Sequence, residues 1–385
     1  MAYGRRNHVN LNPLSYNIML LGEIKTGKTK LVREVCEKLV GKDGYLFLEC
    51  GLERGCDAIE GATHVNCPEW NMDDDELTNS AGFQNVIDDI IANKTSEYPN
   101  LKVVIFDTYD QLITMAEKES IRLWNKYCRE SGNSDKIAKT INAAWGGFSK
   151  GMDKAIELMF NAMAELKKLG VSTFVIGHCK TKEVTDIVSG QTYQTLTSDQ
   201  PQKYFNALKK NLHFLGLLYI DREIVKEKTG KKNPVTKKDE IVGKVKNESR
   251  KIRFRDDNYA VDSGSRFADI VSEINFDADE FINALTNAIK AEQAKSNKSY
   301  EEAKSEQDKI EEEIIKRTTK NEIENKTKKE LDDIINKILE FFLDNKTNLD
   351  VVKPILTKTK ELGYENPKLI TSLDDAKIIL AMTSK

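Results

Sequence analysis

Gly22-Glu-Ile-Lys-Thr-Gly27-Lys28-Thr29 is the stretch of this 385-residue chain whose residue types and spacing most plainly imply chemistry. Two glycines bracket four residues, and a Lys-Thr pair follows, which is the spacing of a phosphate-binding loop. Glycine lets the backbone bend around a polyphosphate, so that successive N–H groups converge on it at a helix N-terminus. Gly22, Glu23, Ile24, Lys25, Thr26, Gly27, Lys28, Thr29 and Lys30 are therefore the expected cradle for a nucleotide. Lys28 would reach the β- and γ-phosphates of ATP, and the Thr29 hydroxyl would ligate Mg²⁺. Asp107 closes the run Val-Val-Ile-Phe-Asp and is the second expected metal ligand; its alternative reading is a cap on the helix predicted over 110–130. It is followed by Thr-Tyr-Asp110, so no glutamate stands beside it. His178, in Val-Ile-Gly-His-Cys-Lys, falls beyond the carboxyl end of another apolar run, where a γ-phosphate would be sensed. A satisfied structural histidine is its plainer reading.

These residues need a scaffold, and the patterning supplies one. Residues 17–21, 45–49, 102–107 and 171–177 are nearly continuous apolar runs, as expected of central parallel strands covered on both faces. Helical spacing over 29–40, 80–93, 110–130 and 152–169 alternates with them, which predicts an α/β fold with helices on both faces of a mostly parallel sheet. Residues 214–225 and 241–255 read as two strands of an antiparallel hairpin, joined by a polar Gly- and Pro-containing connection with a mobile tip. The chain divides on this reading into a core over 1–290, a charged connector or long solvated helix over 291–330, and a small all-α domain over 331–385.

Composition narrows the partner classes. With 59 basic and 62 acidic residues the net charge is −3, which excludes a globally basic nucleic-acid binder. Locally, residues 222–255 carry 13 Lys/Arg against 5 Asp/Glu, an excess suited to an anionic partner. The opening residues hold no apolar h-region, so no secretory leader is expected, and no run approaches a membrane span. Six scattered cysteines fit a reducing cytoplasm. Cys50, Cys56, His64 and Cys67 lack the CxxC spacing of a zinc knuckle and read as buried or strand-end thiols.

Taken together, GEIKTGKT, LECGLE, VVIFDT, WGGFSKGMDKAIE, FVIGHCK and the later SGSRF give residues 14–290 a resemblance to phage-encoded RecA-core P-loop ATPases, a family linked to single-strand DNA recombination. The resemblance implies a RecA-like core, ATP with Mg²⁺, a homo-oligomer in the host cytoplasm, and a single-strand-binding or annealing protein as partner of the C-terminal domain. It also implies that the water-activating glutamate follows the second strand, which points to Glu49 first and Glu53 next. The loops over 131–151 and 180–202 would line a path for single-stranded DNA, with Lys150, Trp145, Phe148, Lys180, Lys182 and Tyr193 available to hold phosphates or stack on bases. Lys246, Arg250, Lys251 or Arg266 would reach a neighbouring subunit's nucleotide. A nucleotide-dependent protein scaffold is the rival reading; a P-loop phosphotransferase is disfavoured, since no Arg-rich lid is visible.

Overall fold

A computed structural model describes residues 9–186, 189–232, 239–255, 263–296, 298–345 and 348–383. In chain order the elements are β1 (Ile18–Gly22), α1 (Lys28–Val40), β2 (Tyr45–Cys50), β3 (His64–Cys67), α2 (Phe83–Asn93), β4 (Val103–Asp107), α3 (Tyr109–Glu130), α4 (Lys150–Lys168), β5 (Ser172–Thr185), β6 (Thr192–Ser198) and α5 (Gln202–Lys209). There follow β7 (Phe214–Lys232), β8 (Asp239–Arg253), β9 (Gly264–Ser265), β10 (Glu273–Asn275), α6 (Ala278–Gln293), α7 (Tyr300–Asp344), α8 (Leu349–Glu361) and α9 (Leu373–Thr383).

The sheet runs β10-β8-β7-β1-β5-β4-β2-β3, with β6 pairing to β5 and β9 to β7. Its centre is parallel: β1 lies between β5 and β7, and β4 between β5 and β2. Period-two alternation explains why the central runs are apolar throughout. In β1, Met19 and Leu21 enter one cluster with α2, α3 and α4, while Ile18 and Leu20 enter another with α1 and α6. Val104 and Phe106 of β4 divide from Val103 and Ile105 in the same way. Both faces are dry, so both sets of side chains must be apolar. This is an α/β P-loop architecture of the RecA-like kind, followed by a helical C-terminal region.

Two antiparallel hairpins extend the parallel strands. β7 and β8 pair from Leu217↔Arg253 out to Lys232↔Asp239, with register shifts after Glu223 and Lys228. Much of the connection expected over 226–240 is strand, since β7 runs to Lys232 and β8 starts at Asp239; 233–238 lie outside the described residues. The second hairpin departs from the expectation of a polar loop over 180–202. β5 continues past His178 to Thr185 and pairs with β6 from Cys179↔Ser198 to Thr185↔Thr192. Its exposed strands have few apolar anchors, so the sequence carries no strand-like run there. α5 and the short β3 likewise lie where no element is expected.

The chain forms two compact units, residues 1–91 with 98–312 and residues 92–97 with 313–385; the division falls within α7. The second unit has its own core, in which Ile338 and Ile379 are fully buried among Ile334, Ile355, Ile370 and Ala376. Glu322 holds the short segment in this unit, accepting from the Thr95 amide at 2.7 Å and from its hydroxyl at 2.5 Å. No described helix is long and apolar enough to cross a membrane.

Candidate nucleotide site

The loop between β1 and α1 takes the shape its glycines permit. Gly27 caps α1 at φ +96°, a conformation other residues adopt only with strain. Lys28 begins the helix buried, with Nζ donating to the carbonyls of Gly22 at 3.1 Å and Glu23 at 2.8 Å. Burial lowers its pKa, against the opposing pull of Asp107, Cys179, Asp110 and Glu53. Lysine in such surroundings is poised for an added negative charge.

Thr29 Oγ1 donates to Asp107 Oδ2 at 2.7 Å. This is the pairing that a shared hard cation requires, an oxygen from the P-loop helix beside a carboxylate from a strand end. Asp107 does not cap α3; Thr108 occupies that position, with no side-chain cap bond. Burial raises the Asp107 pKa to about 7, the Thr29 bond opposing, with Glu53 and Glu49 adding to the rise and Lys28 countering it. The donor set fits Mg²⁺, whose charge would hold the carboxylate ionised. Gly55 shows how tightly the neighbouring loop approaches: a Cβ there would sit 2.9 Å from Thr29 Oγ1 and 3.5 Å from Asp107 Oδ2.

The two glutamates expected to activate water diverge. Glu49 is opposite Asp107 in the sheet register but is fully buried, with Oε1 accepting from the Cys56 amide at 2.6 Å and Oε2 facing His64 Nε2 at 3.7 Å. Burial raises its pKa. Glu53 is half-buried in the loop beyond, where its charge acts on both Lys28 and Asp107.

β5 lies between the P-loop strand and the Asp107 strand, so the point at which it leaves the parallel sheet is central to the site. The register places His178 beside Gly22. Asp110 fixes it, accepting at Oδ2 from the His178 amide at 3.0 Å and pairing with ring Nδ1 at 2.8 Å, while Gln200 Nε2 donates to Oδ1 at 2.6 Å. Sequence patterning gives Asp110 and Gln200 no role at the site, although Asp110 stands only three residues after Asp107. Nor does it show what Arg250 does. Arg250 reaches its own P-loop, donating from Nη1 to the Thr26 carbonyl at 3.1 Å and stacking over Phe276 at 5.3 Å. Nothing local signals a contact between residues 224 positions apart.

The other cations expected to act on a neighbour are engaged within the chain. Lys251 pairs with Asp221 and Glu273, Lys246 with Glu223, and Arg266 donates to the carbonyls of Lys210 and Leu212. Trp145 Nε1 donates to Ser120 and its ring packs on Trp124. Phe148 stands 96% exposed and Lys150 is exposed beside it. Lys180, Lys182 and Tyr193 line a groove of about 430 Å³ along the β5–β6 hairpin, with Lys180 paired to Asp199 at 3.0 Å.

A phosphate-binding loop opening a helix, a threonine–aspartate pair beside it, and a histidine on the strand between the two define a P-loop nucleotide-binding protein. Residues 14–255 match the family model of the AAA domain, and the chain belongs to that family of nucleotide-binding ATPases. No curated protein matches the chain.

Proposed function

We propose that this ATPase hydrolyses Mg²⁺-bound ATP while assembled as an oligomer on single-stranded DNA, in phage recombination or replication within the host cytoplasm. Lys28 and the backbone of Gly22 to Lys30 bind the phosphates, and Thr29 and Asp107 hold the ion. Mg²⁺ bound there supplies charge neutralisation at the β- and γ-phosphates. Glu53 is the better candidate than Glu49 to orient water, because its charge acts on both Lys28 and Asp107 while Glu49 is committed to the loop behind it. His178, oriented by Asp110, reads the γ-phosphate, and Arg250 adds a cation in cis. Ile24 and Leu52, 71% and 88% exposed on the two loops of the site, support a neighbouring subunit as cover.

One observation carries the DNA half of this reading. Residues 145–149 all have positive φ, three of them non-glycine, and this costly turn holds Phe148 out in solvent. An aromatic ring presented on a strained loop is what stacking on an unpaired base needs. The resemblance to recombination ATPases supports the biological setting and the single-strand-binding or annealing partner. The internal ion pairs of β7–β8 favour the rival, a nucleotide-dependent protein scaffold: Arg222, Lys244 and Lys246 already have carboxylate partners on the same hairpin. ATP turnover with and without single-stranded DNA separates the two. Stimulation that is lost with Phe148→Ala supports the DNA reading; turnover indifferent to DNA, with no salt-sensitive binding, refutes it.

A further inference from the structure

Behind the nucleotide site, the β2–β3 connection folds back so that three side chains of different chain positions meet. Glu49 is the penultimate residue of β2, Asp57 lies in the connection, and His64 opens β3. Glu49 Oε2, Asp57 Oδ1 and His64 Nε2 lie close together, with Nε2 3.7 Å from the first oxygen and 4.0 Å from the second. Glu49 is fully buried, and its Oε2 has no hydrogen-bond partner among the described residues. A buried carboxylate oxygen left in this state costs on the order of several kcal/mol unless a positive charge or donor meets it.

The surroundings orient all three toward a common point. His64 Nδ1 lies 3.3 Å from the Ala62 carbonyl; a proton there leaves Nε2 as a lone pair aimed at the carboxylates. The Cys56 amide holds Glu49 Oε1 and turns Oε2 inward. Outer-shell bonds of this type, imidazole N–H to carbonyl and ligating carboxylate to amide, are those that fix metal ligands. A point between three atoms so spaced lies a little more than about 2 Å from each, near the length of zinc–carboxylate and zinc–imidazole bonds. Asp57 is 54% exposed, which gives an ion a way in. Cys50, Cys56 and Cys67, the thiols a sequence search for zinc would choose, are outside the set.

We propose that Glu49, Asp57 and His64 form a second cation site, separate from the Thr29–Asp107 pair, which takes a first-row divalent metal of the zinc type. One imidazole and two carboxylates suit such an ion better than Mg²⁺, which keeps an oxygen-only shell. The bound ion pins the 51–63 connection, and with it Glu53 and Gly55, against the nucleotide site.

The test is a Co²⁺ titration of chelator-treated full-length protein without nucleotide, read by visible ligand-field absorption. One equivalent should saturate the site, and Zn²⁺ should displace it. His64→Ala and Asp57→Asn should each weaken Co²⁺ binding at least about tenfold. Asp57→Asn changes an exposed side chain and keeps its shape, and far-UV circular dichroism checks its fold. Lys28→Ala should titrate as the wild type while losing nucleotide binding, which separates this proposal from the nucleotide site. Absence of saturable Co²⁺ binding by the wild type, or wild-type titration of both variants, overturns the proposal. So does a site abolished by Thr29→Ala and untouched by the other two, since the ion would then belong to the Thr29–Asp107 pair.

Discussion

The carboxyl ends of β1 and β4, with His178 of β5 beside them, and the two hairpins β5–β6 and β7–β8 use the same residue types in opposite ways. At the strand ends, Lys28 and Asp107 are buried, their pKa values are displaced, and each is held by short bonds to fixed partners. Along β7–β8, Arg222, Lys244 and Lys246 are exposed and pair loosely with carboxylates across the ladder. Burial gives a charge leverage on a ligand at a fixed point; exposure gives it reach but little energy per pair. The first region is therefore built for phosphate chemistry, the second for weak contacts summed over a surface.

The largest test of that contrast is Lys28→Ala. It should lower phosphate release at least about a thousandfold, equivalent to about 4 kcal/mol of transition-state stabilisation. The fold should persist, since Nζ meets two loop carbonyls and no core group. Turnover at an unchanged rate would remove the site assignment altogether. Arg250→Ala sits at the junction of the two regions, because β8 delivers its side chain into the P-loop. Turnover should fall about 10- to 100-fold, as expected on losing one charge-assisted contact near the phosphates. Arg250→Lys should recover little, lacking the flat guanidinium that covers Phe276. If DNA binding falls and turnover holds, Arg250 belongs to the hairpin and not to the site.

Where the hairpin roots meet the core, Glu273 tests electrostatics of an intermediate kind. Burial works against its ionisation, but hydrogen bonds from Tyr219, Lys251 and Arg253 prevail and hold the pKa down to about 2, from an ordinary 4.5. A depressed carboxylate stabilises the fold above its unfolded pKa and loses that contribution as pH falls toward the folded one. Glu273→Gln should therefore cost about 1–2 kcal/mol at neutral pH after discounting for solvent screening. Urea midpoints measured from pH 7 to pH 2 should show the gap between variant and wild type closing below about pH 4.5. A gap constant with pH would assign the cost to shape and not charge.

The sequence carried the first region far better than the second. Gly22 to Thr29, Asp107 and His178 are readable because each is tied to the end of an apolar run, and such a run fixes both position and direction. Glu49 was legible as a strand-end acid, but not its engagement by the Cys56 amide, which depends on how the loop after β2 folds back. Arg250 and Gln200 come to the site through sheet order, which local patterning does not encode. The β5–β6 hairpin was hidden for a related reason: with both faces wet, its strands have no apolar alternation to betray them.

The smallest effect bears on that hidden hairpin. Single-stranded DNA lying in the Lys180–Lys182 groove would gain two phosphate contacts, each releasing about 0.7 of a counterion. Lys180→Ala/Lys182→Ala should then weaken binding only several-fold at moderate salt, while lowering the slope of log affinity against log salt by about 1.4. Lys182 should supply the larger share, because Lys180 must first give up Asp199 and the Asp199 carbonyl. The slope is the sharper readout, since affinity alone would also fall if the hairpin merely lost shape. A matching Lys244→Ala/Lys246→Ala pair on β7–β8 provides the contrast, as both lysines there are compensated by Glu227 and Glu223. A slope that falls with the second pair and not the first would move the DNA path to the longer hairpin, leaving the groove on β5–β6 as a surface for protein.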